Sequence, residues 1–235
     1  MTLDENNEII NVLLERPTNI NIGGRSFRIM PVSLGKSLLM SRYARLIKFD
    51  QTKVNKDPLV ELIKACQEQT NAVTQLLAIY VTEKRSNVLD DQYVNSTADY
   101  IRDSLNDVEL ATLLQMYFDQ KPLDHYFKIL GIDRERERLH KIQKAKDNSS
   151  SIQIGGVSMF GSLIDAACQR YHWTYDYVVW GISLLALQIM MADSIQSIYL
   201  NDKEKKQAHI STDGITLSGD NQEAVNYMKQ LIKQK

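Results

Sequence analysis

Between Thr18 and Ile29 apolar and polar positions alternate: Ile20 and Ile22 with Asn19 and Asn21, then Phe27 and Ile29 around Arg28. Gly23-Gly24 separates the two segments. This predicts a β-hairpin over about 18–30, because tight hairpin turns need positive φ. Pro31 ends the second strand, since it has no amide to give to the ladder. From Ser33, a suitable N-cap, the period changes to about 3.6. Leu34, Leu38, Leu39, Arg42, Leu46 and Phe49 outline one helix face. Asp57 as cap and Pro58 as first helical residue open the next helix. Its apolar positions, from Leu59, Leu62, Ile63 and Cys66 to Val73, Leu76, Leu77 and Tyr80, run on to about Val81. Helices over 91–104 and 108–118 follow, the second with a cap at Asn106 and an acid at Glu109. Pro122 starts a short helix that stops at Gly131.

The remaining pattern is less regular. Ile132 to Lys146 is so rich in charge that it reads as a solvated helix or a connector. Asp147 to Ser151 has linker composition, and Ile152 to Ile154 reads as a short strand. Two helices are predicted over 159–171 and 174–200, broken at His172-Trp173, with Thr174 capping the second. Residues 207–219, irregular or a weak hairpin around Asp213-Gly214, and a helix over 221–234, capped from Asp220, complete the reading. The fold class expected is mainly α, a multi-helix bundle with a small N-terminal β-hairpin and a C-terminal helix pair. The expected division is a hairpin plus helical domain over 1–146, a linker at 147–156 and a helical subdomain over 157–235.

Composition narrows the classes. With 10 Gly and 4 Pro in 235 residues, tight turns are few. The formal net charge is -1, from 28 Lys+Arg against 29 Asp+Glu, without the basic excess of a nucleic-acid binder. The longest apolar run, Val178 to Ala192, contains Ser183 and Gln188 and falls short of the roughly 18–20 residues of a membrane helix. The first residues, MTLDENNEIINVLLERP, lack the basic stretch of a signal peptide. Cys66 and Cys168 sit in helical patterns far apart and read as buried thiols of a reducing compartment.

Candidate chemistry is sparse. Gly35-Lys36-Ser37 has the end of a phosphate-loop signature, but Met30 stands where its first glycine belongs, so a helix start is the better reading. Cys168 and His172 have helical spacing, yet zinc wants three or four ligands, and a nucleophile–base pair needs an orienting group and an oxyanion hole. Catalytic, metal and cofactor sites are therefore expected to be absent. The break at 172–173 gives a helix-turn-helix outline, but the second helix carries no Lys or Arg with which to meet phosphates.

What stands out is an apolar, aromatic and Met-rich stripe. Tyr177, Trp180, Leu184, Leu187, Met191 and Ile195 lie near one face of the predicted helix, and Val178, Ile182, Leu185, Ile189 and Ala192 cover much of the other. Such a helix is enclosed, either in its own subdomain or by a partner. Met190 and Met191 suit a surface that must repack. The residues expected to meet a partner are Tyr177, Trp180, Leu184, Leu187, Met190 and Met191.

The segment FGSLIDAACQRYHWTYDYVVWGISLLALQIMMADSI resembles the C-terminal segment of phage and prophage tail assembly chaperones. The resemblance rests on Tyr171, Trp173, Thr174, Asp176, Val178, Trp180 and Ala192-Asp193. It covers 159–195 well and, through the hairpin, Pro31 and the helix from Leu34, 18–50 loosely. It implies a non-catalytic helper of virion assembly in the host bacterial cytoplasm. Its partners would be the tape measure protein, whose apolar helices it keeps soluble, and the tail tube protein. Self-association is compatible with this reading. A structural virion protein, such as a connector or tail-completion protein, is the alternative.

Overall fold

Gly23 and Gly24 take positive φ of 54° and 84° and turn the chain between β1 (Thr18–Ile22) and β2 (Arg25–Ile29). The strands pair antiparallel, with Ile20 opposite Phe27 and Thr18 opposite Ile29, so the apolar side chains share one face. The tip is seated tightly. The Tyr100 hydroxyl donates to the carbonyls of Ile22 and Gly23 at 2.9 and 3.0 Å. A Cβ at residue 23 would stand 2.6 Å from the Ser104 hydroxyl, so only glycine fits.

The computed structural model describes residues 3–49, 57–119, 121–146, 157–195 and 198–208. Apart from the hairpin, their regular elements are helical, and the architecture is a mainly α bundle. The helices are α1 (Leu3–Leu13), α2 (Leu34–Ala44), α3 (Pro58–Glu68), α4 (Thr70–Val81), α5 (Arg85–Val88), α6 (Asp91–Ser104), α7 (Asp107–Phe118), α8 (Leu123–Leu130), α9 (Ile132–Ala145), α10 (Met159–Tyr171), α11 (Leu184–Ala192) and α12 (Asp202–Gln207).

The caps read from the sequence are in place. Ser33 accepts from the Lys36 amide, Asp57 from Val60, and Asn106 with Glu109 forms a reciprocal capping box. Gly131 ends α8 in the left-handed region. In contrast, α1 has no counterpart in the sequence reading, which weighed the first residues only as a signal peptide.

Two long helices expected from periodicity are each divided. The 58–81 helix breaks at Gln69 (φ -132°, ψ 34°) into α3 and α4. There the Gln69 side-chain amide pairs with the Lys48 backbone in both directions, at 2.7 and 3.2 Å, and the Thr70 hydroxyl donates to the Cys66 carbonyl at 2.6 Å. The 174–200 helix is also not continuous. Thr174 caps a turn that passes into a π-helical turn, Tyr177–Gly181. Ile182 is extended (φ -124°, ψ 147°), and Ser183 caps the separate helix α11, which ends at Ala192. The expected break at 172–173 is present: His172, at φ 54°, terminates α10.

By packing, the chain forms two compact units, Met1–Ile132 with Ile154–Ser194, and Asp133–Gln153 with Ile195–Lys235. The expected linker 147–156, the strand at 152–154, the hairpin around Asp213-Gly214 and the helix 221–234 lie outside the described residues. In the first unit α4 is the central helix. Val73, Leu76, Leu77 and Ala78 are fully buried, and α2, α6 and α7 pack around it. In the second unit α9 is charge-rich, with an Arg138–Glu135 pair on its surface and Ile142 buried, and α12 begins with a capping box of Asn201 and Glu204.

Candidate functional site

The segment resembling the assembly chaperones is built onto the first unit through its backbone. Leu184 donates its amide to the Val32 carbonyl at 2.8 Å, and Ser183 pairs antiparallel with Ser33. This places the π-helical turn against the start of α2. The Trp180 indole lies on Gly35, so closely that a Cβ there would stand 2.7 Å from the ring. The Arg85 guanidinium sits 5.2 Å from the indole centroid and pairs with the Asp176 carboxylate. Trp180 is therefore an internal anchor between α2 and α5, with a cation–π contact on its ring.

Beneath α10 lies a small apolar cluster of Ala167, Val178, Ile182, Ala186 and Leu187. Leu163, Ile164, Cys168, Met190 and Met191 border it and are only partly buried. An aromatic chain closes one end: Tyr171 stacks on Trp173 at 4.6 Å, Trp173 meets Tyr177 edge-on at 5.0 Å, and the Tyr171 hydroxyl donates to the Met190 carbonyl at 3.0 Å. The start of α10 and the residues leading into it are apolar and open, while further along the helix the exposed residues are Asp165, Gln169 and Arg170. Val157, Met159 and Tyr175 are 99%, 73% and 64% exposed, and Phe160 and Tyr177 are also exposed. Ala167 is the only buried residue of α10. A helix start so poorly covered, with Met159 and Phe160 outward, is suited to receive an apolar partner.

The six residues expected to meet a partner do not share one surface. Tyr177 is exposed, while Trp180 is committed to Gly35 and Arg85. Leu187 is fully buried, and Met190 and Met191 are half-buried beside it. Leu184 is half-buried and faces a groove on another side of the unit. The stripe assumed one continuous helix, and the extended residues at 182–183 change the phase between Trp180 and Leu184. The residues that sequence reasoning missed are Val157, Met159 and Phe160. Their signal was present in the run VSMF just before the small-residue part of α10.

That groove, about 600 Å³, runs among α1, α2, α8 and α11. Val12, Val32, Met40, Leu123 and Leu185 give it an apolar lining. At its polar end the Glu8 carboxylate accepts from Lys121 Nζ at 2.8 Å and from the Tyr126 hydroxyl, with His125 Nε2 at 3.5 Å. Burial pushes the Glu8 carboxyl up, but these donors outweigh it and hold its pKa below the ordinary value. Burial and the adjoining Glu8 raise the Tyr126 phenol to about 12.

Other candidate chemistry has structural roles. Lys36 is buried and donates to the carbonyls of Tyr80 and Thr82 at 2.9 and 3.0 Å, capping the C-terminal end of α4. Burial pushes its pKa down to about 8, with the Glu83 carboxylate acting in the opposite direction. Burial pushes the Cys66 thiol up to about 12, aided by Asp107, which leaves little nucleophilic thiolate. Cys168 is half-buried and His172 exposed. Among the described residues no three His, Cys, Asp or Glu side chains stand together as a metal site, and no helix is long and apolar enough to cross a membrane. Comparisons with protein-family models, with curated proteins and with solved structures found no match.

Proposed function

We propose that this protein is an assembly chaperone for a phage-type tail, holding an apolar helical segment of the tape measure protein and bringing tail tube subunits to it in the host cytoplasm. The observation that carries this reading is a coincidence of place. The segment resembling tail assembly chaperones, 159–195, is also where α10 and its approach leave Val157, Met159, Phe160, Tyr175 and Tyr177 exposed. The partner helix lies along this surface, anchored by the aromatic chain at Tyr177 and accommodated by the half-buried methionines behind it. α4 is enclosed and offers the partner no face. Leu59 and Val60 on α3 remain exposed.

The test is co-expression with a long coiled-coil tape measure protein, followed by co-purification. Binding should persist in chelator and in moderate salt, where exposed ionic contacts are screened beyond about 8–10 Å. Met159→Lys with Phe160→Ser should weaken binding by roughly 10- to 100-fold, the loss of one or two apolar anchors. Unchanged binding by that variant would remove α10 from the interface. The alternative, a structural connector or completion protein, predicts stoichiometric retention in finished particles.

A further inference from the structure

We propose that the cavity between α3 (Pro58–Glu68) and the residues that follow α2 receives one lysine or arginine side chain of a partner protein, with Glu61 as its counter-charge. This cavity shares no residue with the α10 surface, and the proposal does not rest on the assembly role. The cavity measures about 620 Å³. Glu61, Ala65 and Glu68 give it one face of α3, at helical spacing. Leu46, Lys48 and Phe49 form the facing wall. Gln69 fixes that wall by pairing its side-chain amide with the Lys48 backbone in both directions.

Glu61 is the residue that asks for a ligand. It is only 5% exposed, yet among the described residues its carboxylate accepts no hydrogen bond and joins no ion pair. Among those residues no polar side-chain atom is both sealed from water and unpartnered. The Glu61 oxygens therefore open onto the cavity that the residue lines. The two lysines at the cavity do not neutralise it. Lys64 Nζ turns to Glu68, 3.9 Å away one turn on, and exposed Lys48 makes no ion pair with Glu61. The dipole of α3 favours a carboxylate in its first turn, but that field fills no lone pair. A nearly buried carboxylate is costly without a partner, and such groups are ordinarily paired. The matching cation has an apolar stem. Leu46 and the Phe49 ring supply apolar wall, and exposed Phe118 extends it, edge-on to Phe49 at 5.4 Å. A carboxylate among apolar and aromatic walls fits a long side chain that buries its methylenes and ends in a cation. An acidic side chain would be repelled, and an apolar one would leave Glu61 unpaired.

The test is an amide-resolved NMR titration of the full chain in fixed buffer and salt. The probes are the N-acetyl methylamides of lysine, of arginine and of norleucine, the uncharged isostere. The cationic probes should give saturable shifts at residues 46–49 and 61–69, with dissociation constants of roughly 1–10 mM, as suits a single side chain. Norleucine should bind at least about ten-fold more weakly. Glu61→Gln should weaken the cationic probes by about ten-fold and leave the melting temperature unchanged or raised, because it removes an uncompensated buried charge. Glu68→Gln, at an exposed position, should change binding less than about three-fold. Equal binding of all three probes, no saturable shift by about 50 mM, or an unchanged response in Glu61→Gln would overturn the proposal. A lower melting temperature in Glu61→Gln would do so too, by showing that the folded chain already pairs this carboxylate. Butylamine binding as tightly as the capped lysine would reassign the site to small amines. A response that appears only after Lys53→Gln with Lys56→Gln would show that the chain fills the site itself. Either result would overturn the partner.

Discussion

Lys36 puts a charge where the chain most needs donors. The end of α4 is buried among α2 and the loop that follows it, and its last carbonyls have no water to turn to. Lys36→Met leaves the Tyr80 and Thr82 carbonyls without their donor and is expected to cost about 2 kcal/mol at neutral pH, read from urea midpoints. The pH dependence has a definite sign. The folded-state pKa, about 8, lies below the ordinary 10.5, so the unfolded chain holds more protons between these values. Stability contributed by Lys36 therefore rises as pH climbs from about 8 to 10.5, while below 8 the cost of its buried charge is fully present. The gap between the wild type and Lys36→Met should widen over that window. A gap that narrows would contradict the burial argument. At this scale the sequence was partly legible. Ser33, Asp57, Asn106 and Gly131 act locally, within three or four residues, and their roles could be read directly. The role of Lys36 depends on a carbonyl 44 residues away, which no local pattern encodes.

At the scale of elements, the seat of the π-helical turn is set by one small residue and one large one. Gly35→Ala drives a methyl group into the Trp180 ring and should cost about 1–3 kcal/mol. Trp180→Ala should cost about 3 kcal/mol, the lower end for a large aromatic, because the indole is only half-buried. In the Trp180→Ala background the same Gly35→Ala change meets no ring. There it should be neutral or stabilising by about 0.5–1 kcal/mol, since alanine is the better helix former. A double-mutant cycle by thermal or chemical unfolding checks this; additive costs would place the indole elsewhere. Ser183→Ala removes the α11 cap and should cost about 1 kcal/mol. Periodicity located α2 to α4 and α6 to α11 but overran two breaks and left α5 and α12 unread. Gln69 and Ser183 divide helices through contacts with Lys48, Val32, Ser33 and Glu15, all distant in sequence. Conversely, α1 went unread because its apolar residues are few and its seat depends on Lys121, Tyr126 and Ser183.

At the scale of the molecule, the richest apolar stretch of the sequence is divided in its use. Its middle is spent internally, with Trp180 on Gly35 and Leu187 in the small cluster under α10. Its approach, from Val157 to Phe160 and at Tyr175 and Tyr177, is left open. Hydropathy alone could not make that distinction, because an apolar residue looks the same in sequence whether it covers a core or awaits a partner. The proposed chaperone role makes a demand on the whole particle that a structural role does not: the protein must join assembly and then leave. The most direct measurement is quantitative mass spectrometry of this chain in tape-measure-containing assembly intermediates and in purified finished particles. The account predicts stoichiometric amounts with the intermediates and loss from the finished particle. Retention at a fixed copy number in finished particles would contradict it.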